Sequence, residues 1–213
     1  MEQTVYQGQF GEFTITDRDR NEVRLYRGGL VIAAVSFTVG CALLFGRGAT
    51  TEVLQSLTVL YGLFVAGLAV SLTTIHIYLK PLHRLLQIFL AVGAIASIIL
   101  AARSPIPLAL FVYNHPLSLF GVGFTFAALT GIFFKEGFCF HRLETRILTP
   151  LVPILLLGHL VGALPLAWEQ GLLAIWSGLF LVFAFRKIIQ PIPPDIGDKS
   201  VFEYLKQQRQ EAA

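Results

Sequence analysis

Few residues of this sequence have the type and spacing to do chemistry, and most of them are histidines. His159 stands in GHLVG, between Gly158 and Gly162, near the midpoint of a long apolar stretch. An ionisable residue at such depth is a functional candidate, because even a neutral imidazole needs a partner in hydrocarbon. Read sharply, His159 is an axial ligand to a haem iron or a chlorophyll magnesium, with the glycines leaving room for a flat macrocycle. Read simply, it is a neutral ring hydrogen-bonded to a hydroxyl or carbonyl of a neighbouring helix, and this is the preferred reading, since ligation is one of many roles for histidine. A bis-histidine haem needs a second ring at the same depth. His76 is the candidate, but it lies about one turn from the end of its own apolar run, so the depths match poorly.

A second constellation is GFCFHRLETR, where Cys139, His141 and Glu144 share a polar loop, with His83 in another loop expected on the same side. Thiolate, imidazole and carboxylate are competent metal ligands and acid-base groups. Cys139 and His141 are two residues apart and do not share a helix face, whereas His141 and Glu144, three apart, do. A solvated loop at the level of lipid headgroups is the simpler reading. The sequence has no GxSxG, HExxH or P-loop and no paired aspartate motif, so no enzyme class is indicated. Its two cysteines, Cys41 and Cys139, are too few for a disulfide framework. No cofactor is the default expectation.

The elements that must position these residues follow from composition. Of 213 residues, 55% are hydrophobic and only 14% charged, with a mean hydropathy of +0.70. An ordinary soluble domain carries about 25% charged residues, so the chain is a membrane protein. Runs free of Asp, Glu, Lys and Arg cover Gly28 to Gly46, Leu57 to Leu79, Leu85 to Ala102, Leu117 to Phe134, Ile147 to Trp168 and Leu172 to Phe185. All but the last approach the roughly 20 residues that a spanning helix needs. The last extends if Arg186 and Lys187 snorkel. None alternates as the strands of a membrane β-barrel would. The expected fold is an all-α bundle of six transmembrane helices, with residues 1–27 as an N-terminal tail, 28–187 as the membrane domain and 188–213 as a Pro-containing linker and terminal helix.

Fourteen of the sixteen Lys and Arg residues fall in the two tails and in the second and fourth loops. This asymmetry puts both termini on the cytoplasmic face, or the stromal face of a plastid. No basic run exceeds two residues, so the net charge of +3 reflects topology and no nucleic-acid partner is expected. In the N-terminal tail, Gln9 to Thr16 has strand-like content, and Thr16 or Asp17 caps a charged helix running into the first span. Pro105 to Tyr113 is too short to span and too apolar for an open loop, so it lies in the interface or re-enters. In the C-terminal tail, Ser200 and Glu203 form a capping-box pattern, and Val201, Phe202 and Leu205 suit docking on a partner or the membrane surface. Small residues four apart (Gly158 with Gly162, Gly123 with Ala127 and Gly131, Gly93 with Ser97 and Ala101, Gly62 with Ala66) predict close helix packing.

Three segments, FGEFTITDRDRNEVRLYRGGL (residues 10–30), EGFCFHRLETRILTPLVP (136–153) and QPIPPDIGDKSVFEYLKQQ (190–208), resemble a family of uncharacterised integral membrane proteins of cyanobacteria and plant plastids, catalogued as a domain of unknown function. The resemblance implies a thylakoid, cyanobacterial or plastid membrane and brings no catalytic residues. With inert spans and structured tails, it suggests a non-catalytic assembly or scaffolding protein whose tails hold subunits of a photosynthetic or related complex. Two other readings are a carrier or channel for a small neutral or lipophilic solute, using the stretch broken by Pro150, Pro153 and Pro165, and a pigment or haem protein ligated by His159.

Overall fold

The structure is a computed structural model that describes residues 4–211. A two-stranded antiparallel hairpin, β1 (Val5–Gly8) and β2 (Gly11–Thr14), opens the chain. Thr16 then caps α1 (Asp17–Arg47): its hydroxyl accepts from Asp19 N–H, and the Asp19 carboxylate accepts from Thr16 N–H. That reciprocal pair satisfies two orphan donors of the first turn. The charged helix and the first span are thus one 31-residue helix.

α2 (Thr51–Thr74), α3 (Lys80–Arg103), α5 (Leu119–Phe140), α6 (Leu143–Leu160) and α7 (Leu166–Ile189) complete the bundle. These five and α1 are the six helices long and apolar enough to cross a membrane. The apolar piece of the third loop forms a short helix, α4 (Leu108–Asn114), after Pro107. α8 (Pro193–Ile196) and α9 (Ser200–Glu211) follow α7. α9 begins at Ser200, whose hydroxyl donates to the Asp198 carboxylate, and the side chain of Glu203, the other half of the expected capping box, lies outside the described residues.

Helix limits correct the sequence reading where apolar residues continue through a turn. The expected fifth span, Ile147 to Trp168, is instead α6, a turn and the start of α7. Gly162, at φ 65°, takes a left-handed conformation open to glycine, and Pro165 precedes the first residue of α7. The sixth span is therefore 24 residues long rather than short. α2 ends at Thr74, so His76 lies in the α2–α3 linker.

α1 packs on α2 and α7, α3 on α5, and α6 on both α5 and α7. α1 and α2 approach closely, and a Cβ on Gly67 would stand 2.6 Å from the Gly29 carbonyl oxygen. Of the expected small-residue ridges, Gly93 and Ser97 are buried, and Gly93 meets Thr125 of α5. Gly62 faces open space, and Gly158 and Gly162 serve the α6–α7 turn instead. An aromatic core fills the centre: Trp176, Phe180 and Phe183 of α7 with Phe133, Phe64, Phe37 and Phe126.

Both described ends of the chain meet at one end of the bundle, here the tail end. There β1, β2, α8 and α9 form a cap with its own small core of Ile15, Val23 and Ile196, backed by Tyr6, Phe13 and Ile192. Phe10 stacks on Tyr204 at 4.0 Å, and Phe202 packs on Tyr78. Backbone N–H groups of Gln9 and Phe10 donate to the Asp198 carboxylate and the Ser200 hydroxyl. The opposite end, with α4 and the α6–α7 turn, is the loop end.

Candidate functional site

At the tail end, the core stripes of three helices finish in charge. On α7 the stripe Trp176, Phe180, Phe183 continues to Lys187; on α5 the stripe Leu129, Ile132, Phe133 continues to Glu136; on α1, Leu30 is preceded by Tyr26 and Arg27. Lys187 and Glu136 are each 0% exposed. Rather than snorkelling to the membrane face, Lys187 holds its ammonium 2.7 Å from Glu136 Oε2 and bonds Asp195 of α8. The Glu136 contact is an ion pair more than a directed hydrogen bond, since Oε2 lacks hydrogen-bond geometry. Glu136 Oε1 accepts from Tyr26 Oη and from Lys135 Nζ. Arg27 donates to Asp195 Oδ2 and to the carbonyls of Gln190 and Pro191. A buried charge that lost its partner would be strongly unfavourable, so this set fixes how the chain leaves α7. Beside it, Arg186 Nη1 donates to Glu144 Oε2 at 2.9 Å.

The remaining sequence candidates separate. His83 Nε2 meets the Leu72 carbonyl at the end of α2, next to Gln87. Glu144 belongs to Arg186 and Arg142. Cys139 and His141 are exposed, and His141 ends α5 at φ 51°. The structure therefore does not bring His83, Cys139, His141 and Glu144 together. Among the described residues, the group of possible ligands that does converge is Asp19, Glu22 and His76. Asp19 Oδ2 already accepts from Thr16 and from Lys199 Nζ at 2.7 Å, and Glu22 pairs with Arg18. His76 Nε2 stands 3.4 Å from Glu22 Oε2. Burial pushes this imidazole below its ordinary value near 6.5, against the opposing pull of Glu22 and Asp19.

His159 is in the last turn of α6 rather than at mid-depth, because the helix stops at Leu160. Its Nδ1 lies 2.7 Å from Glu169 Oε1, in the first turn of α7, and its Nε2 lies 3.2 Å from the carbonyl of Tyr113 in α4. Tyr113 Oη also reaches Glu169, at 3.4 Å. The His159 cluster thus fastens α4 to α6 and α7, and both ring nitrogens are engaged. His76 and His159 lie at opposite ends of the bundle.

One turn back along α4, Ala109 lines an apolar cavity of about 180 Å³ in the loop-end half of the bundle. Its wall comes from α1 (Phe37, Cys41), α2 (Tyr61, Phe64), α5 (Phe126) and α7 (Leu173), with Ser36 adding a hydroxyl. Tyr61 Oη is held by Ser97 and Thr125, at 2.8 and 2.9 Å, so its ring faces the space while its polar end is occupied. Sequence reasoning missed this cavity because it arises where five helices fail to close. It also missed the ionic cluster, whose signal was legible: Lys187 and Glu136 continue the apolar stripes of their helices.

Residues 70–204 match a family described as "Uncharacterized integral membrane protein (DUF2301)". The chain is also similar to a protein of Haemophilus influenzae described as "Uncharacterized protein", with 30% identity over 189 residues, covering 85% of this chain and 89% of that one. No solved structure matches. The chain belongs to this family of integral membrane proteins. Its Haemophilus relative points to bacteria broadly, so a cyanobacterial, thylakoid or plastid setting does not follow from membership.

Proposed function

We propose that the protein is a carrier that takes a small lipophilic solute from the loop-end side of the membrane. The observation that supports this reading is the apolar cavity of about 180 Å³ inside the loop-end half, set against a tail end closed by buried ion pairs. A half-open pocket lined by aromatic and leucine side chains is a common form of small-molecule site. α4 is the natural gate, since it adds to the wall at Ala109 and is held at Tyr113 by the His159 cluster. Residues 28–187 form the membrane domain in this proposal, and the described residues of the tails 1–27 and 188–213 form a cap. The basic residues around the cap favour the cytoplasmic face.

The test is uptake of labelled neutral lipophiles by reconstituted vesicles. Flux above protein-free vesicles, lost when Ala109→Phe fills the cavity, is the expected result. Flux equal to lipid controls across a broad panel would overturn the reading.

An assembly or scaffolding role, photosynthetic or other, draws on the rigid cap. Phe202 and Tyr204 pack within the chain, however, which leaves a partner less apolar surface than the tail sequence suggests. Stable isolation of the protein alone from native membranes would count against that role. A haem or chlorophyll ligated by His159 would require Nε2 to leave the Tyr113 carbonyl or Nδ1 to leave Glu169. A colourless protein after gentle purification would dismiss it.

A further inference from the structure

The carrier reading leaves the solute's chemistry open, and the cavity wall narrows it. We infer that the site takes an uncharged molecule, one ring or a short chain in size, that carries a hydrogen-bond acceptor engaged by Ser36. This rests on the reading above and adds the solute class.

Size comes first. An apolar cavity of about 150 Å³ accommodates benzene, so about 180 Å³ holds one ring with a small substituent. Charge comes second. No Asp, Glu, Lys, Arg or His lines the space, and burying an unpaired charge there is prohibitive. Polarity comes third. Ser36 is 6% exposed and lines the cavity, yet its hydroxyl forms no hydrogen bond among the described residues. Most serines inside a helical bundle return a bond to their own backbone, as Ser97 does to the Gly93 carbonyl.

One layer behind the wall, Trp176 is 2% exposed, and its Nε1 is buried without a partner among the described residues. Its ring centroid lies 4.5 Å from that of Phe37 and 5.4 Å from that of Phe126, both wall residues. Indole Nε1–H can only donate. The wall thus offers the Ser36 hydroxyl as a donor, with the Trp176 N–H one layer behind it, while the Tyr61 hydroxyl is already engaged by Ser97 and Thr125. A ketone, ether or quinone carbonyl complements that set, whereas an ammonium or carboxylate does not.

Two probes separate the solute class from the carrier reading. In full-length protein carrying Trp168→Phe, the remaining tryptophan fluorescence comes from Trp176. Micellar protein is titrated with bromobenzene, which fills space only, and with 4-bromoacetophenone, which adds a carbonyl. We expect saturable quenching by both and binding of the ketone tighter by about three- to tenfold, the ratio set by one net hydrogen bond. Ser36→Ala should erase that ratio without weakening bromobenzene. Ala109→Phe should abolish saturation with both probes, and Leu173→Phe provides a second filled cavity if the first variant does not fold. Saturation by both probes with equal affinity, or a ratio that survives Ser36→Ala, overturns the acceptor assignment and leaves the lipophile site standing. Linear, unsaturable quenching by both probes, unchanged in the filled variants, overturns the site itself.

Discussion

The two ends of the bundle treat buried polarity in opposite ways. At the tail end, Lys187, Glu136, Asp195 and Arg27 come from four different helices and answer one another, and Arg27 also binds the carbonyls where α7 stops. At the loop end, the hydrogen-bonded pair of His159 and Glu169 is small and peripheral, and beside it the Ser36 hydroxyl stands on the wall of an apolar pocket, with the Trp176 indole N–H one layer behind and without a partner among the described residues. Paired charges hold a structure together even where an oxygen such as Glu136 Oε2 makes no directed hydrogen bond; a hydroxyl on the wall of an apolar pocket is available to something else. The contrast assigns stability to one end and recognition to the other, and each substitution below strains that division.

The largest effect is expected at the tail end. Glu136→Ala removes the carboxylate between Lys187 and Lys135 and should destabilise the protein by about 3–5 kcal/mol, read as early thermal unfolding in mild detergent. Ser36→Ala, at the other end, should leave unfolding unchanged. If both variants unfold alike, the division fails. Next is Gly67→Val, which wedges the α1–α2 crossing at the Gly29 carbonyl. Overpacking of this kind costs about 1–3 kcal/mol, and the same melting assay should rank it below Glu136→Ala. Smaller still is His159→Leu, which cuts the tie from α6 to α4 and α7. Single partly exposed hydrogen bonds are worth about 1 kcal/mol, so melting should barely move, while vesicle flux through an α4 gate should change. A large loss of stability would make the loop end structural as well.

The mildest expected effect is acid sensitivity at His76, which Glu22, Asp19, Lys135 and Lys199 surround. Its folded-state pKa is depressed mainly by burial, so the unfolded chain takes up the proton first. Its contribution is therefore present above pH of about 6.5 and is lost as pH falls through the folded value. Replacement by Gln should flatten that part of the stability profile, and a profile unchanged by the substitution would show that other groups set the acid response.

The class of fold was legible because lipid imposes a simple rule: a helix must be about 20 apolar residues long and its flanking charges must sort by side. Thr16 was legible as a cap, because a capping residue acts within four positions of itself. The limits of α6 and α7 were not, since the turn between them is as apolar as the helices and only Gly162 and Pro165 interrupt the run. That hidden turn moved His159 from mid-depth to a helix end, and with it the chemistry assigned to the ring. Lys187 was misread for a different reason. Arg186 and Lys187 are adjacent, so a helix points them about 100° apart and both cannot face outward. Only the phase of Trp176, Phe180 and Phe183 tells which turns inward. The cavity had no local signature at all, because its wall joins residues from Ser36 to Leu173.

The pairing of Arg27 with Asp195, 168 positions later, also sets a timetable for biogenesis. The first helix enters the membrane with a cation at its end whose carboxylate has not yet been synthesised. Arg27 therefore stays without this partner until Asp195 emerges. A chain truncated before α8 would lack Asp195 and leave Arg27 with the Gln190 carbonyl at the end of α7. What holds the first helix at this end is thus supplied by a residue made after all six spans.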